Sequence, residues 1–169
     1  SVDNFVKLMN EKVKKLNLKN TKFSNPTGLD STDNYSSVSD VAVILKYALK
    51  NKTFKKVFES SSYTTTNKKH TFKSTRNKYN IDTSFIDGSK TGFTYDAGLC
   101  LASTAHYNNV YYLLVTANAP YNDRTNHLKD AKTIYNYYFN NYEEKLISQK
   151  GDKITSVELN NGSIVNYST

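Results

Sequence analysis

Apolar residues recur at helical spacing from the start of the chain. Phe5, Leu8, Met9, Val13 and Leu16 alternate with Lys and Glu, which predicts an amphipathic helix over residues 4–17, with Ser1 or Asp3 as its N-cap. The segment KNTKFSNPTGLDSTDNYSS follows. Its Asn, Ser and Thr, punctuated by Asn25-Pro26 and Gly28, predict an ordered loop. Val41, Ile44, Leu45, Ala48 and Leu49 give the apolar face of a second helix over 38–50, capped by Ser37 or Ser39, with Asp40 in its first turn. A short helix near Phe54–Phe58 is predicted next. In SYTTTNKKHTFKST, β-formers flank the polar centre Asn67-Lys68-Lys69, the pattern of a hairpin.

The period then shortens to that of strands. Runs at Ile86–Thr91, Gly98–Ala105 and Val110–Ala117 predict a β core, with Asn108-Asn109 as a tight turn between the last two. The last run, VYYLLVTA, is apolar at successive positions, so both of its faces should be covered. Helical spacing returns over 123–142, where Leu128, Ala131, Ile134, Tyr135 and Tyr138 form one stripe. Beyond Glu143, KITSVELNNGSIVNYS predicts a separate hairpin around Asn161-Gly162. Residues 1–142 thus read as one unit, and 143–169 as a hairpin that opens a second β module. The class is α+β: an antiparallel sheet with helices on its faces.

Composition narrows this picture. The chain has 169 residues, enough for one medium domain with a real core. Hydrophobic content is only 37%, but 14 Tyr and 8 Phe supply bulk. No apolar run approaches the length of a bilayer span, and the first residues carry neither the basic nor the apolar region of a signal peptide. Cys100 is the single cysteine, set in the apolar run AGLCLASTA, and is expected to be a buried structural thiol. No intrachain disulfide is possible. The net charge of +8 is uneven: residues 1–80 hold 16 Lys and Arg against 6 acidic residues, and 81–169 hold 7 against 9. The excess lies between Lys46 and Lys78. It reads as a solvated basic face or a surface for a polyanion, without the pattern of a nucleic-acid module. His70, His106 and His127 are scattered, and no His, Cys or carboxylate cluster has metal-ligand spacing. No metal or cofactor is implied.

Four blocks in order carry a resemblance: FVKLMNEKVKKLNLKNTKFSNPTGLD, NYSSVSDVAVI, DGSKTGFTYDAGLCLASTA, and Arg124 with its following helix. Together they resemble the later part of the catalytic domain of serine-type D-alanyl-D-alanine carboxypeptidases, the low-molecular-mass penicillin-binding proteins, over about residues 4–140. The GLD and YSS blocks fit these better than β-lactamases, which share the Lys-Thr-Gly motif. The resemblance implies a penicillin-binding-protein and β-lactamase-like transpeptidase fold, incomplete at its N-terminal side. It implies removal of the terminal D-Ala from peptidoglycan stem peptides through an acyl-serine that β-lactams can trap. The parent protein would be bacterial and extracytoplasmic, at the cell wall or membrane.

Lys90-Thr91-Gly92 is the motif that would carry the chemistry. On an edge strand, a Lys ammonium and a Thr hydroxyl can bind the D-Ala carboxylate and hold the peptide alongside the strand. Gly92 allows close approach, having no Cβ. By resemblance, the backbone N–H of Phe93 forms half of the oxyanion hole. Arg124 is a further candidate for the substrate carboxylate, or pairs with Asp123 or Asp130. The family also needs a Ser-x-x-Lys nucleophile and a Ser-x-Asn motif. None of the 17 serines has Lys three residues on or Asn two residues on. In the family both motifs precede the segment that opens here. The expectation is therefore that the chain supplies the Lys-Thr-Gly half of the site and is inactive alone. Two other readings stand beside it: a non-catalytic cell-wall or interaction module, and a polyanion binder. A strand at Val110–Ala117 without its neighbour should dimerise, accept a swapped segment such as 153–167, or take an upstream polypeptide.

Overall fold

The computed structural model describes residues 1–145 and 147–168. Helix α1 spans Val2–Lys15, and the Ser1 hydroxyl accepts the Asn4 N–H as its cap. The loop that follows is tied down from both ends. Asn10 exchanges side-chain hydrogen bonds with the Phe23 backbone, and buried Asp40 accepts from the Asn20 N–H at 2.8 Å and the Thr21 hydroxyl at 2.7 Å. Asp40 opens helix α2, Val38–Ala48, whose cap is Ser37. Helix α3, Lys52–Glu59, is longer than the predicted piece because the Asn51 side chain caps it, accepting from the Thr53 and Phe54 N–H groups.

Strands β1 (Ser62–Thr64) and β2 (Thr71–Lys73) form the small hairpin predicted around Asn67-Lys68-Lys69. A single 3-10 turn at Thr75–Lys78 leads toward the main sheet. That sheet has three antiparallel strands, β3 (Gly88–Thr94), β4 (Gly98–Tyr107) and β5 (Val110–Ala119), in that spatial order. Both Asn108 and Asn109 have positive φ, as a two-residue hairpin requires. Strand β3 starts later than the pattern suggested: Ile86 belongs to the preceding turn, its N–H bonded to the Thr83 carbonyl. The strand runs past Gly92, because pairing continues to Thr94↔Gly98.

Helix α4, Asn126–Asn141, packs on one sheet face. It starts three residues later than predicted, since Asp123 captures the Thr125 N–H and hydroxyl in a local turn. Alternate β4 residues Leu99, Leu101, Ser103 and Ala105 are buried. The core joins Leu101, Ala105 and Ile86 to Leu128, Ala131 and Tyr135 of α4. Ser103 and the Tyr135 hydroxyl share a buried hydrogen bond of 3.0 Å, and burial raises the Tyr135 pKa to about 12. Helices α2 and α3 cover the other face, so β5 does have helices on both sides, α2 and α4. Among the described residues β5 is nevertheless a sheet edge.

Among the described residues, strands β6 (Lys153–Glu158) and β7 (Ile164–Ser168) pair only with each other and are exposed throughout. They do not enter the gap beside β5. Cys100 is half-buried rather than buried. Its cross-strand neighbour is Gly92, which has no side chain to cover it, and its thiol turns toward the Ala97 and Gly98 carbonyls.

Candidate active site

The Lys-Thr-Gly residues lie where the sequence placed them, on an edge strand. β3 pairs with β4 through Lys90↔Ala102, Thr91↔Leu101 and Gly92↔Cys100, and its other edge has no strand partner among the described residues. The unpaired N–H and C=O groups of that edge are a template for one extended peptide. Lys90 is exposed, and its ammonium folds back onto the Thr91 carbonyl. A cleft of about 170 Å³ runs beside it, lined by Ser89, Lys90 and Thr91 and by Lys73, Ser74 and Thr75. An apolar hollow of about 360 Å³ adjoins it between α2 and α3, with Val41, Leu45, Phe54, Lys90 and Ala102 in its walls.

Two features fix the strand in place. Gly88, its first residue, sits beneath Phe58 of α3; a Cβ there would come within 2.4 Å of the ring. Arg76, from the 3-10 turn, is buried behind the strand. It donates to the Ser89 hydroxyl at 3.4 Å and the Asp87 carbonyl at 3.3 Å. Burial lowers its pKa, and nearby Asp87 offsets part of that effect. The Asp87 carboxylate meets the His106 Nδ1 at 2.7 Å. Arg76 was not foreseen. It falls within a run of ten Lys and Arg, and only burial separates it from its solvated neighbours.

Phe93 extends the strand beyond Gly92 and meets Arg124, whose guanidinium lies 5.6 Å from the ring centroid. The alternative pairing of Arg124 with Asp123 is not formed. Asp123 takes Lys129 at 2.6 Å and the Thr125 N–H and hydroxyl, which together hold its carboxyl well below the usual range. The structure thus brings Lys90, Thr91, Gly92, Phe93 and Arg124 to one edge. His70 and His106 are exposed and His127 is buried in the first turn of α4, so no two of them converge on it. Among the described residues, no three His, Cys, Asp or Glu gather as metal ligands, and no helix is long and apolar enough to cross a membrane.

A three-stranded antiparallel sheet clasped by helices, with Lys-Thr-Gly on its open edge, is the sheet half of a penicillin-binding-protein fold. The comparisons agree. The family described as D-alanyl-D-alanine carboxypeptidase matches residues 1–121, and this chain belongs to that family. D-alanyl-D-alanine carboxypeptidase DacF of Bacillus subtilis is 32% identical over 165 residues, covering 96% of this chain and 42% of the relative. Penicillin binding protein 5 from Haemophilus influenzae superposes with a TM-score of 0.72 at 29% identity, over 96% of this chain and 47% of that one. The Streptomyces K15 DD-transpeptidase superposes with a TM-score of 0.70 at 28% identity, over 82% of this chain and 55% of that one. The chain spans about two fifths of the length of the curated relatives it matches.

Proposed function

We propose that this chain forms the substrate-holding half of an extracytoplasmic D-Ala-D-Ala carboxypeptidase acting on peptidoglycan stem peptides. The observation that carries the reading is the open edge of β3, with Lys90, Thr91 and Gly92 along a cleft inside a family-matched segment. Lys90 and Thr91 hold the terminal carboxylate. The Phe93 N–H points the scissile carbonyl toward a nucleophile, and Gly92 lets the peptide lie against the strand. Arg76 positions the strand through Ser89 and Asp87.

The 169 residues hold no Ser-x-x-Lys and no Ser-x-Asn. We propose that by themselves they bind the peptide but do not acylate, and that β-lactams react only where those motifs are supplied. The second edge of the sheet, along β5, is where a further strand of that catalytic unit or of another copy would pair. Residues 143–169 stand outside this unit.

Calorimetric titration tests the binding role. An N-acyl-D-Ala-D-Ala peptide should bind, and its C-terminal amide should not, since the amide removes the charge that Lys90 reads. Lys90→Ala should abolish the difference. Equal binding of acid and amide would reject the assignment.

A further inference from the structure

A hollow of about 510 Å³ opens where α2 and α3 meet β4 and β5, a size in the range of about 300–1,000 Å³ usual for small-molecule sites. Lys90 and Thr91 take no part in it. Leu49, just past α2, and Leu113 of β5 are half-buried and give it an apolar floor, and the exposed Tyr111 ring adds a wall. The rim is basic. Lys46 and Lys50 border it from the α2 side and Lys55 from α3, all three exposed. The two acidic residues in its walls are already engaged: Glu59 pairs with Lys55 at 3.7 Å, and Asp87 takes His106 at 2.7 Å. Lys46 and Lys50 enter no ion pair among the described residues.

These two lysines share one side of the helix. The helical turn runs on past Ala48 to Lys50, whose N–H bonds the Tyr47 carbonyl, so Lys46 and Lys50 stand one turn apart. Like charges at that spacing repel each other, and an anion between them relieves the repulsion. The positive charge thus borders apolar surface, and the pairing restricts what fits. A neutral apolar ligand needs no lysines, and a bare anion or an extended polyanion needs no apolar floor. The recess is concave, which suits one small molecule rather than the surface of a bilayer. We propose that this hollow binds a single-chain amphiphilic anion. Its aliphatic chain lies on Leu49, Leu113 and the Tyr111 ring, and its phosphate or carboxylate headgroup sits between Lys46 and Lys50.

Octyl phosphate, octyl glucoside and inorganic phosphate test this, each titrated into the ¹⁵N-labelled chain, with the octyl compounds below their micellar concentrations. Octyl phosphate should bind at least about tenfold more tightly than inorganic phosphate, since a few buried methylenes suffice for that. It should bind at least about fivefold more tightly than neutral octyl glucoside, as expected for exposed charge contacts. The Leu49, Lys50, Tyr111 and Leu113 amides should shift. The double change Lys46→Glu with Lys50→Glu should weaken octyl phosphate at least about fivefold and leave octyl glucoside unchanged. Equal affinities for octyl phosphate and inorganic phosphate would overturn the site, because the apolar floor would then take no part. Equal affinities for the two octyl compounds would overturn it too, as would shifts confined to lysine amides. The order of the three probes in the unmodified chain decides the matter even if the double variant fails to fold.

Discussion

His127 is the residue whose chemistry is most at odds with its surroundings. It is 2% exposed, and neither ring nitrogen has a hydrogen-bond partner among the described residues. Its contact is the edge of Tyr79, at 6.2 Å. Burial lowers its pKa below the ordinary 6.5, with Asp130 opposing. In the unfolded chain the imidazole titrates normally, so on acidification the unfolded state takes up a proton that the folded state refuses. Stability is therefore present above about pH 6.5 and declines as pH falls below it. His127→Leu should flatten the dependence between about pH 7 and 5 in urea unfolding. A variant with the parent's slope would show that another group titrates. Nothing in the sequence marked this histidine. The sequence placed it only within the helix predicted over 123–142, and its lack of partners among the described residues is a property of packing.

Among the elements, β3 matters most, and its position is set by neighbours rather than by its own sequence. The pattern placed a strand at 86–91; pairing with β4 moved it to Gly88–Thr94. The elements with local signals were read best: Ser1 and Ser37, each one of two cap candidates, are the caps, and Asn108-Asn109 is the turn. The α4 stripe holds at Leu128, Ala131 and Tyr135, but Phe139 rather than exposed Tyr138 packs on the core. Arg76 and the seat of Gly88 were not legible, because each joins residues distant along the chain. Gly88→Ala is the sharpest test at this scale. Phe58 is 9% exposed and has little room to withdraw from the new methyl. The substitution should cost about 1–3 kcal/mol, and Phe58→Leu should recover part of it in a double-mutant cycle. A cost below about 0.5 kcal/mol, the usual range for surface changes, would mean that α3 does not clamp the strand. Gly98→Ala should also destabilise. Its φ is +64°, and a Cβ would come within 2.9 Å of the Asn118 backbone.

At the scale of the whole molecule, the fold class was readable because four ordered blocks carry it, and the superposed relatives bear it out. The 169 residues contain no Ser-x-x-Lys, and we propose that the chain does not acylate by itself. Incubation with a penicillin should leave the chain's intact mass unchanged; a stoichiometric increase on a serine would show a nucleophile outside the Ser-x-x-Lys pattern. We propose that β3 holds the substrate through Lys90. The most direct test is steady-state kinetics on an acyl-D-Ala-D-Ala peptide, in an active enzyme that contains this chain. Lys90→Ala should lower kcat/KM by about 100-fold or more, equivalent to roughly 3 kcal/mol of lost charge-assisted contact, and leave the denaturation midpoint nearly unchanged because the side chain is exposed. A variant that keeps full kcat/KM would contradict the account, making Lys90 an ordinary surface lysine and β3 an ordinary edge.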